Sequence, residues 1–254
     1  MPMFKTKLII GAFTLAASAA AITLLLQNNI FSRSFSSVEC PAEGDRFCTF
    51  TELSDVYEES EDWEIKKRQS PNSRVLVSAI HGGGIEQVTS QLADAVAGKE
   101  YSFYTFKGKL SSGNFNNLHI SSVNFDEPQA RSMANEASIH ISIHGAEGEM
   151  KRTLLGGLNE DLRGLISEHL ESSGFRVKEA PEHLDGDHPN NIVNQTKTGE
   201  GVQLELTRAQ RKAFFENGTI SYSSRNDATN QTEAFTQYKA AIRDALKEYK
   251  ERNL

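Results

Sequence analysis

Cysteine is scarce in this sequence of 254 residues, where only Cys40 and Cys48 occur. Two cysteines at this spacing exclude a zinc site built from thiolates and a Cys-x-x-Cys redox motif. They are close enough in sequence to close a small loop. We therefore expect a Cys40–Cys48 disulfide in an oxidising compartment, with two free thiols as the alternative.

Positive charge is also in short supply. Lysine and arginine total 27 against 34 aspartates and glutamates, which gives a formal net charge of -7. Such a chain repels polyanions, so a general nucleic-acid binder is excluded. The sequence also lacks a Gly-x-Ser-x-Gly elbow, although residues 81–84 read HGGG as in the oxyanion loop of serine esterases. A serine hydrolase is disfavoured because that elbow carries the nucleophile.

Long apolar runs are confined to the N-terminus, where residues 8–26 are uncharged and follow Lys5 and Lys7. This pattern is typical of a secretory signal peptide or of an uncleaved membrane anchor. Both interpretations predict a secreted, periplasmic or membrane-anchored protein that faces away from the cytosol. We predict a leader over 1–30, an N-terminal arm over 31–62 and a catalytic-sized domain over 63–254.

The domain alternates strand-like and helix-like segments, which predicts an α/β fold with a mixed, largely parallel sheet flanked by helices. Helical spacing begins at Ile85, at Pro128, near Leu158 and near Phe235, and the charge-rich stretch 55–68 is interpreted as part of the arm. Strands are predicted at 74–80, 101–108, 118–123, 137–143 and 201–207.

Polar side chains follow the carboxyl ends of two of these strands, where sites form in open α/β sheets. His81 and Glu86 follow the first strong strand, and His144 follows the strand at 137–143. Two imidazoles and a carboxylate are the ligand set of a catalytic zinc site. His140 is the alternative to His144 because both lie on one strand face. Each side chain also has a structural interpretation; Glu86, for example, could complement a helix dipole.

Glu205 lies on the polar face of a strand whose other face is apolar. A carboxylate there could accept a proton from the attacking water and pass it to the leaving amine. Its structural alternative is an ion pair with Arg208 or Arg211.

Several ordered segments resemble the poly-γ-glutamate hydrolases, and the resemblance extends from about Trp63 to the C-terminus. The segments are IHGGGIE (80–86), LHISSVNFDEP (118–128), ISIHG (141–145), LLGGLNEDLR (154–163), NNIVN (190–194) and GVQLELTRAQRKAFF (201–215). The family implies a three-layer fold similar to zinc carboxypeptidases, with Zn²⁺ on His81, Glu86 and His144 and with Glu205 as the catalytic carboxylate.

A substrate rich in glutamate calls for a locally basic cleft, because the bulk charge of the chain is negative. Arginine suits carboxylates through its paired donors. The candidate substrate-binding residues are Arg163 and Arg208, together with Asn194 and His119 from the family-like segments. Lys107, Lys109, Arg131, Arg152 and Arg211 are further basic candidates.

The resemblance predicts a zinc-dependent amidohydrolase that cleaves γ-glutamyl amide bonds of poly-γ-glutamate, so the expected partner is an acidic polymer or peptide substrate. One alternative is a non-catalytic surface protein with the same fold that binds such a polymer. The other alternative keeps the zinc peptidase and changes the substrate, for example to cell-wall peptide fragments.

Overall fold

A mixed sheet of seven strands forms the centre of the fold. In the computed structural model, which describes residues 44–253, the strands are β1 (Trp63–Arg68), β2 (Val75–Gly83), β3 (Ser102–Gly108), β4 (Ile139–Ala146), β5 (Thr153–Gly156), β6 (Val177–Glu179) and β7 (Val202–Thr207). Their spatial order is β1-β3-β2-β4-β7-β5-β6. The central strands run parallel, whereas β1 and β5 are antiparallel to their neighbours β3 and β7. The predicted mixed, largely parallel sheet is confirmed.

Helices cover both faces of this sheet. They are α1 (Phe50–Ser54), α2 (Thr89–Ala97), α3 (Asn114–Leu118), α4 (Pro128–Glu136), α5 (Glu160–Ser172), α6 (Arg208–Ala213), α7 (Tyr222–Arg225) and α8 (Glu233–Asn253). Helix α4 starts as its sequence predicts: Pro128 occupies the first turn and Glu127 accepts hydrogen bonds from two exposed amides. Proline lacks the N–H that this position leaves unbonded.

Two buried apolar clusters lie on opposite faces of the sheet and give the fold three layers. The first cluster packs α2, α5 and α8 against aliphatic side chains of the central strands, such as Val77, Ile141 and Leu204. The second contains residues of α3 and α4 together with Phe47, Leu53 and Trp63. The part of the predicted arm from Gly44 onward therefore contributes apolar side chains to this core.

The predicted leader and Cys40 lie outside the described residues, so the leader and the Cys40–Cys48 disulfide stay predictions. Within residues 44–253, no helix combines the length and the apolar character needed to span a bilayer.

Three local predictions were wrong. Residues 118–123 form no strand, because the carbonyl of Ile120 accepts from His81 and that of Ser122 accepts from the amide of Ile192. Helix α2 begins at Thr89 instead of Ile85. The end of the charge-rich arm forms β1, an edge strand whose charged side chains suit an exposed sheet edge.

Candidate metal centre and cleft

Glu86 folds back onto His81 because the glycines between them allow a tight turn. The amide of Glu86 donates to the carbonyl of His81 at 2.8 Å. Gly83 has a φ of +66°, and a Cβ there would lie 2.4 Å from the carbonyl oxygen of Gly108. Only glycine fits a left-handed position this close to a neighbouring strand. Glu86 precedes α2 in a loop, so it does not serve the dipole of that helix.

Three electron-pair donors converge at the carboxyl ends of β2 and β4. His81 Nδ1 lies 3.1 Å from Glu86 Oε1 and 3.1 Å from His144 Nδ1, and His144 Nδ1 lies 3.6 Å from Glu86 Oε2. All three side chains are buried. A tetrahedral zinc ion with bonds of about 2.0–2.1 Å holds its ligand atoms roughly 3.3 Å apart. The cluster therefore has the dimensions of a zinc site.

A hydrogen bond on the far nitrogen orients each histidine. His81 Nε2 donates to the carbonyl of Ile120 at 2.8 Å, so Nδ1 is the nitrogen that offers a lone pair when the ring is neutral. His144 Nε2 lies 2.8 Å from Ser142 Oγ, and Ser142 in turn accepts from Ser78 Oγ. Two imidazole nitrogens and a carboxylate at these distances are a donor set that suits a cation between them, so the residues present fit a metal ion.

His140, the alternative ligand, is buried below this cluster. Its Nε2 lies 2.8 Å from Ser78 Oγ, and the ring is not among the residues that line the cleft. Burial lowers the pKa of His140 to about 3, so the ring stays neutral. His140 thus supports His144 from inside the sheet, through the two serines.

The register of the sheet places the fourth predicted residue beside the cluster. His144 on β4 and Glu205 on β7 are direct partners across the parallel pair. Glu205 Oε1 accepts a hydrogen bond from Gln203 Nε2 at 3.0 Å. The apolar residues of β7 pack in the first core, whereas Gln203 and Glu205 line the cleft. The alternation along the strand thus predicted the face on which Glu205 lies.

The two buried carboxylates have opposite pKa shifts. Burial raises the pKa of the Glu205 carboxyl well above its usual range, and the negative charge of Glu86 adds to this effect. Burial also acts to raise the pKa of Glu86, but His81 and His144 outweigh it and hold that pKa well below the usual range. Environments that separate two carboxyls in this way are typical of a metal ligand or charge stabiliser beside a proton-transfer group.

A cleft of about 1210 Å³ opens over these residues. One wall consists of strand ends, and the others are formed by residues 113–123, by residues 181–188 and by Arg208 and Arg211. Asn194 holds one wall in place, since its Nδ2 donates to the carbonyls of Gly186 and His188. It is not among the residues that line the cleft.

The predicted basic residues lie in different places. Arg208 lines the cleft with its side chain 43% exposed, and its Nη1 lies 4.0 Å from Glu147 Oε1. Arg211 also lines the cleft, but its guanidinium donates to three backbone carbonyls and serves the fold. Arg163 lies away from the cleft and donates to the carbonyl of Gly157.

The expectation of a basic cleft was wrong. Besides the two arginines and several histidines, the lining carries six carboxylates: Glu86, Glu147, Glu182, Asp185, Asp187 and Glu205. Three of them come from the segment 181–188, which carries no motif that predicts a role in the cleft. Charge in the cleft is therefore mixed, and carboxylate recognition depends on individual groups such as Arg208.

His119 and Asp45 complete the surroundings of the metal centre. His119 contributes to a group with His81 and Glu86 whose ligand atoms all lie within 4.8 Å of one another. Its Nδ1 bonds to the carboxylate of Asp45. Asp45 was missed because it precedes the predicted domain boundary, and no pattern in the sequence singles it out.

A family model for poly-gamma-glutamate hydrolase matches residues 47–241. The chain belongs to this family. The match begins ahead of Trp63, where the resemblance in the sequence was expected to start. It includes all four residues of the cluster at the ends of β2, β4 and β7.

Two proteins of Bacillus subtilis are similar to this chain over most of their length. YmaC of Bacillus subtilis is 38% identical over 208 residues, which cover 81% of this chain and 86% of YmaC. YndL of the same organism is 37% identical over 209 residues, covering 76% of this chain and 80% of YndL. The chain is thus similar to these bacterial proteins over three quarters or more of its length.

Solved structures agree in fold. A bacteriophage poly-gamma-glutamate hydrolase superposes with a TM-score of 0.78 at 36% identity, covering 82% of this chain and all of the phage chain. YndL, solved in a zinc-free apo form, gives a TM-score of 0.75 at 36% identity over 81% of this chain and 98% of the YndL chain. The predicted resemblance and fold class are confirmed.

Proposed function

We propose that this protein is a zinc-dependent hydrolase that cleaves γ-glutamyl amide bonds of poly-γ-glutamate. The observation that carries the proposal is the approach of two imidazole nitrogens and the two oxygens of one carboxylate, with contacts of 3.1–3.6 Å, beside a buried carboxylate with a raised pKa. Membership of the poly-gamma-glutamate hydrolase family supports the substrate class.

His81, Glu86 and His144 would hold the zinc ion. A zinc ion in such a site supplies a water nucleophile at neutral pH and polarises a bound carbonyl group. The protein contributes the fixed ligand geometry, because each imidazole is oriented by a hydrogen bond on its far nitrogen.

Glu205 accepts a proton from the attacking water and delivers it to the leaving amine. A raised pKa suits this role, since a general base works best when its pKa lies near the operating pH. Gln203 donates to one carboxylate oxygen of Glu205 and leaves the other free for proton transfer. Arg208 binds a free α-carboxylate of the substrate, because its guanidinium is half-exposed in the cleft.

The deciding experiment measures the chain length of poly-γ-glutamate after incubation with the purified protein, with chelator, and with chelator followed by zinc. We expect shortening of the polymer that chelation abolishes and that added zinc restores.

Glu205→Gln should lower kcat by about 100-fold or more while the zinc content of the protein is unchanged. The matched control is Glu200→Gln, an exposed glutamate just before β7, which should match wild type. Parallel assays on α-linked oligoglutamate and on cell-wall peptides test the alternative substrates, and unchanged polymer in all conditions would overturn the proposal.

A further inference from the structure

Asp45 lies in the segment that precedes β1 and bonds to His119, which lines the cleft. Its side chain is 1% exposed, and both carboxylate oxygens are used. One oxygen bonds to His119 Nδ1, and the other accepts from the amide of Ser121 at 2.7 Å. Because a buried carboxylate from outside the sheet bonds to this imidazole, we expect the His119 ring to keep one tautomer and one orientation.

The ring of His119 is held between two other rings. Its centroid lies 4.0 Å from that of His81, and on its other side the ring stacks on Phe115 at 4.4 Å and 28°. His119 lines the cleft with 15% of its side chain exposed. The two ring contacts and the bond to Asp45 leave this imidazole a single orientation beside the candidate metal centre.

The bond to Asp45 determines which nitrogen carries the proton. A carboxylate can only accept, so the hydrogen lies on Nδ1 and the Nε2 of the neutral ring has a lone pair. Because Nδ1 bonds to Asp45, Nε2 is the ring nitrogen that can accept a hydrogen bond in the cleft.

His119 lies next to the candidate metal centre. Its ligand atom lies within 4.8 Å of those of His81 and Glu86, so the ring is close enough to contact a water molecule bound there. A catalytic zinc site keeps its fourth position for water. A water molecule has two hydrogens, and Glu205 can accept only one of them at a time.

We propose that His119 Nε2 accepts the second hydrogen bond of the attacking water, and that Asp45 is the positioning residue that holds His119 in this state. With both hydrogens directed to fixed acceptors, the remaining lone pair of the water points at the scissile carbonyl. Orientation of this kind accelerates the reaction without adding affinity for the substrate. The inference rests on the proposed hydrolysis and adds to it a second hydrogen-bond acceptor for the attacking water.

The experiment compares Asp45→Asn and His119→Gln in the full chain loaded with zinc. Both variants should lower kcat on poly-γ-glutamate by about 100-fold, with KM and zinc affinity, measured by competition with a chelator, within about twofold of wild type. Nitrogen-15 NMR of the imidazoles should show His119 protonated on Nδ1 in wild type. In Asp45→Asn the proton should move to Nε2, because the asparagine amide can donate to Nδ1.

Asp126→Asn is the matched control. Asp126 Oδ1 accepts from the amide of Phe50 at 2.6 Å, so it fastens the same N-terminal segment without touching His119. This variant should keep wild-type kcat. The inference is overturned if Asp126→Asn loses as much activity as Asp45→Asn, because the carboxylate then only docks the segment.

Two further results also overturn the inference. A fall in zinc affinity that parallels the fall in kcat identifies His119 as a metal ligand. An unchanged kcat in His119→Gln shows that His119 has no role in the reaction. His119→Gln leaves the bond between Asp45 and Ser121 intact, so it remains informative if Asp45→Asn does not fold. Inactive wild-type protein would instead contradict the proposed hydrolysis itself.

Discussion

The amide of Gly145 donates a hydrogen bond to Oε2 of Glu86 at 2.8 Å. This bond joins the end of β4 to the loop after β2, so the carboxylate of Glu86 is aimed by the backbone that also carries His144. One oxygen is held by Gly145, and the other faces His81. The strand ends themselves therefore fix the candidate metal centre.

Glu86→Gln should lower zinc affinity by more than about tenfold, because the amide keeps the acceptor for Gly145 but loses the charge that stabilises the cation. Competition with a chromogenic chelator measures the affinity. Glu147→Gln, an exposed glutamate in the same cleft, is the control and should bind zinc as wild type does. Equal affinities for the two variants would exclude Glu86 as a ligand.

Arg208→Gln should raise KM for poly-γ-glutamate by about tenfold with a small change in kcat, since a charge-assisted hydrogen bond contributes about 1.5–3 kcal/mol. Initial rates over a range of polymer concentrations separate the two constants. Arg163→Gln is the comparison, because that side chain lies away from the cleft, and its KM should stay at the wild-type value. A larger effect for Arg163 would place the substrate elsewhere.

The buried ring of His140 should make stability depend on pH. Its pKa falls from 6.5 to about 3 on folding, so between these values the unfolded chain binds a proton that the folded chain does not. The free energy of unfolding therefore decreases as pH falls from 6.5, by about 1.4 kcal/mol per pH unit for this group. Above pH 6.5 the group has no effect.

His140→Gln should remove that contribution. Urea unfolding of metal-free wild type and variant between about pH 6.5 and 4.5 gives the two slopes, and the variant should lose less stability on acidification. Other titrating groups cancel in the comparison. Parallel pH dependences would show that His140 takes up its proton while the protein is folded.

Gly83→Ala should destabilise the protein by about 1–3 kcal/mol, because alanine at a φ of +66° is strained and its Cβ would meet the carbonyl of Gly108. Gly164→Ala gives the contrast: Gly164 lies inside helix α5 with open space around it, and alanine there should stabilise by up to about 1 kcal/mol. Thermal unfolding midpoints measure both. A neutral Gly83→Ala would mean that the loop can adopt another path.

Patterns of apolar residues predicted the strands that carry the site, because a buried parallel strand leaves a continuous run such as 75–80 and a half-polar strand alternates, as in β7. The positions of His81, His144 and Glu205 follow from where those strands end. Residues 118–123 carry a strand-like pattern, yet their carbonyls bond to His81 and Ile192 in place of a neighbouring strand. Long-range contacts of this kind leave no local signal.

The same limit applies to Asp45 and to β1. Asp45 acts on His119 across more than seventy residues of sequence, so no local spacing points to it. The alternation of Trp63 and Ile65 in β1 is masked by four charged neighbours, which belong there because the strand lies at the edge of the sheet. The charge of the cleft was also unpredictable, since half of its carboxylates come from the segment 181–188.

His144 and Glu205 pair directly across two strands, so the residues proposed for the reaction lie on the sheet, apart from the loops that line the rest of the cleft. Backbone hydrogen bonds between two central strands hold the proposed metal ligand and the proposed base at a set spacing, while the opposite walls are loops. Loops accept insertions and substitutions at little cost to the sheet. Substitutions in residues 113–123 and 181–188 should therefore change the length and charge of the polymers that the cleft accepts and leave the proposed hydrolytic step unaltered.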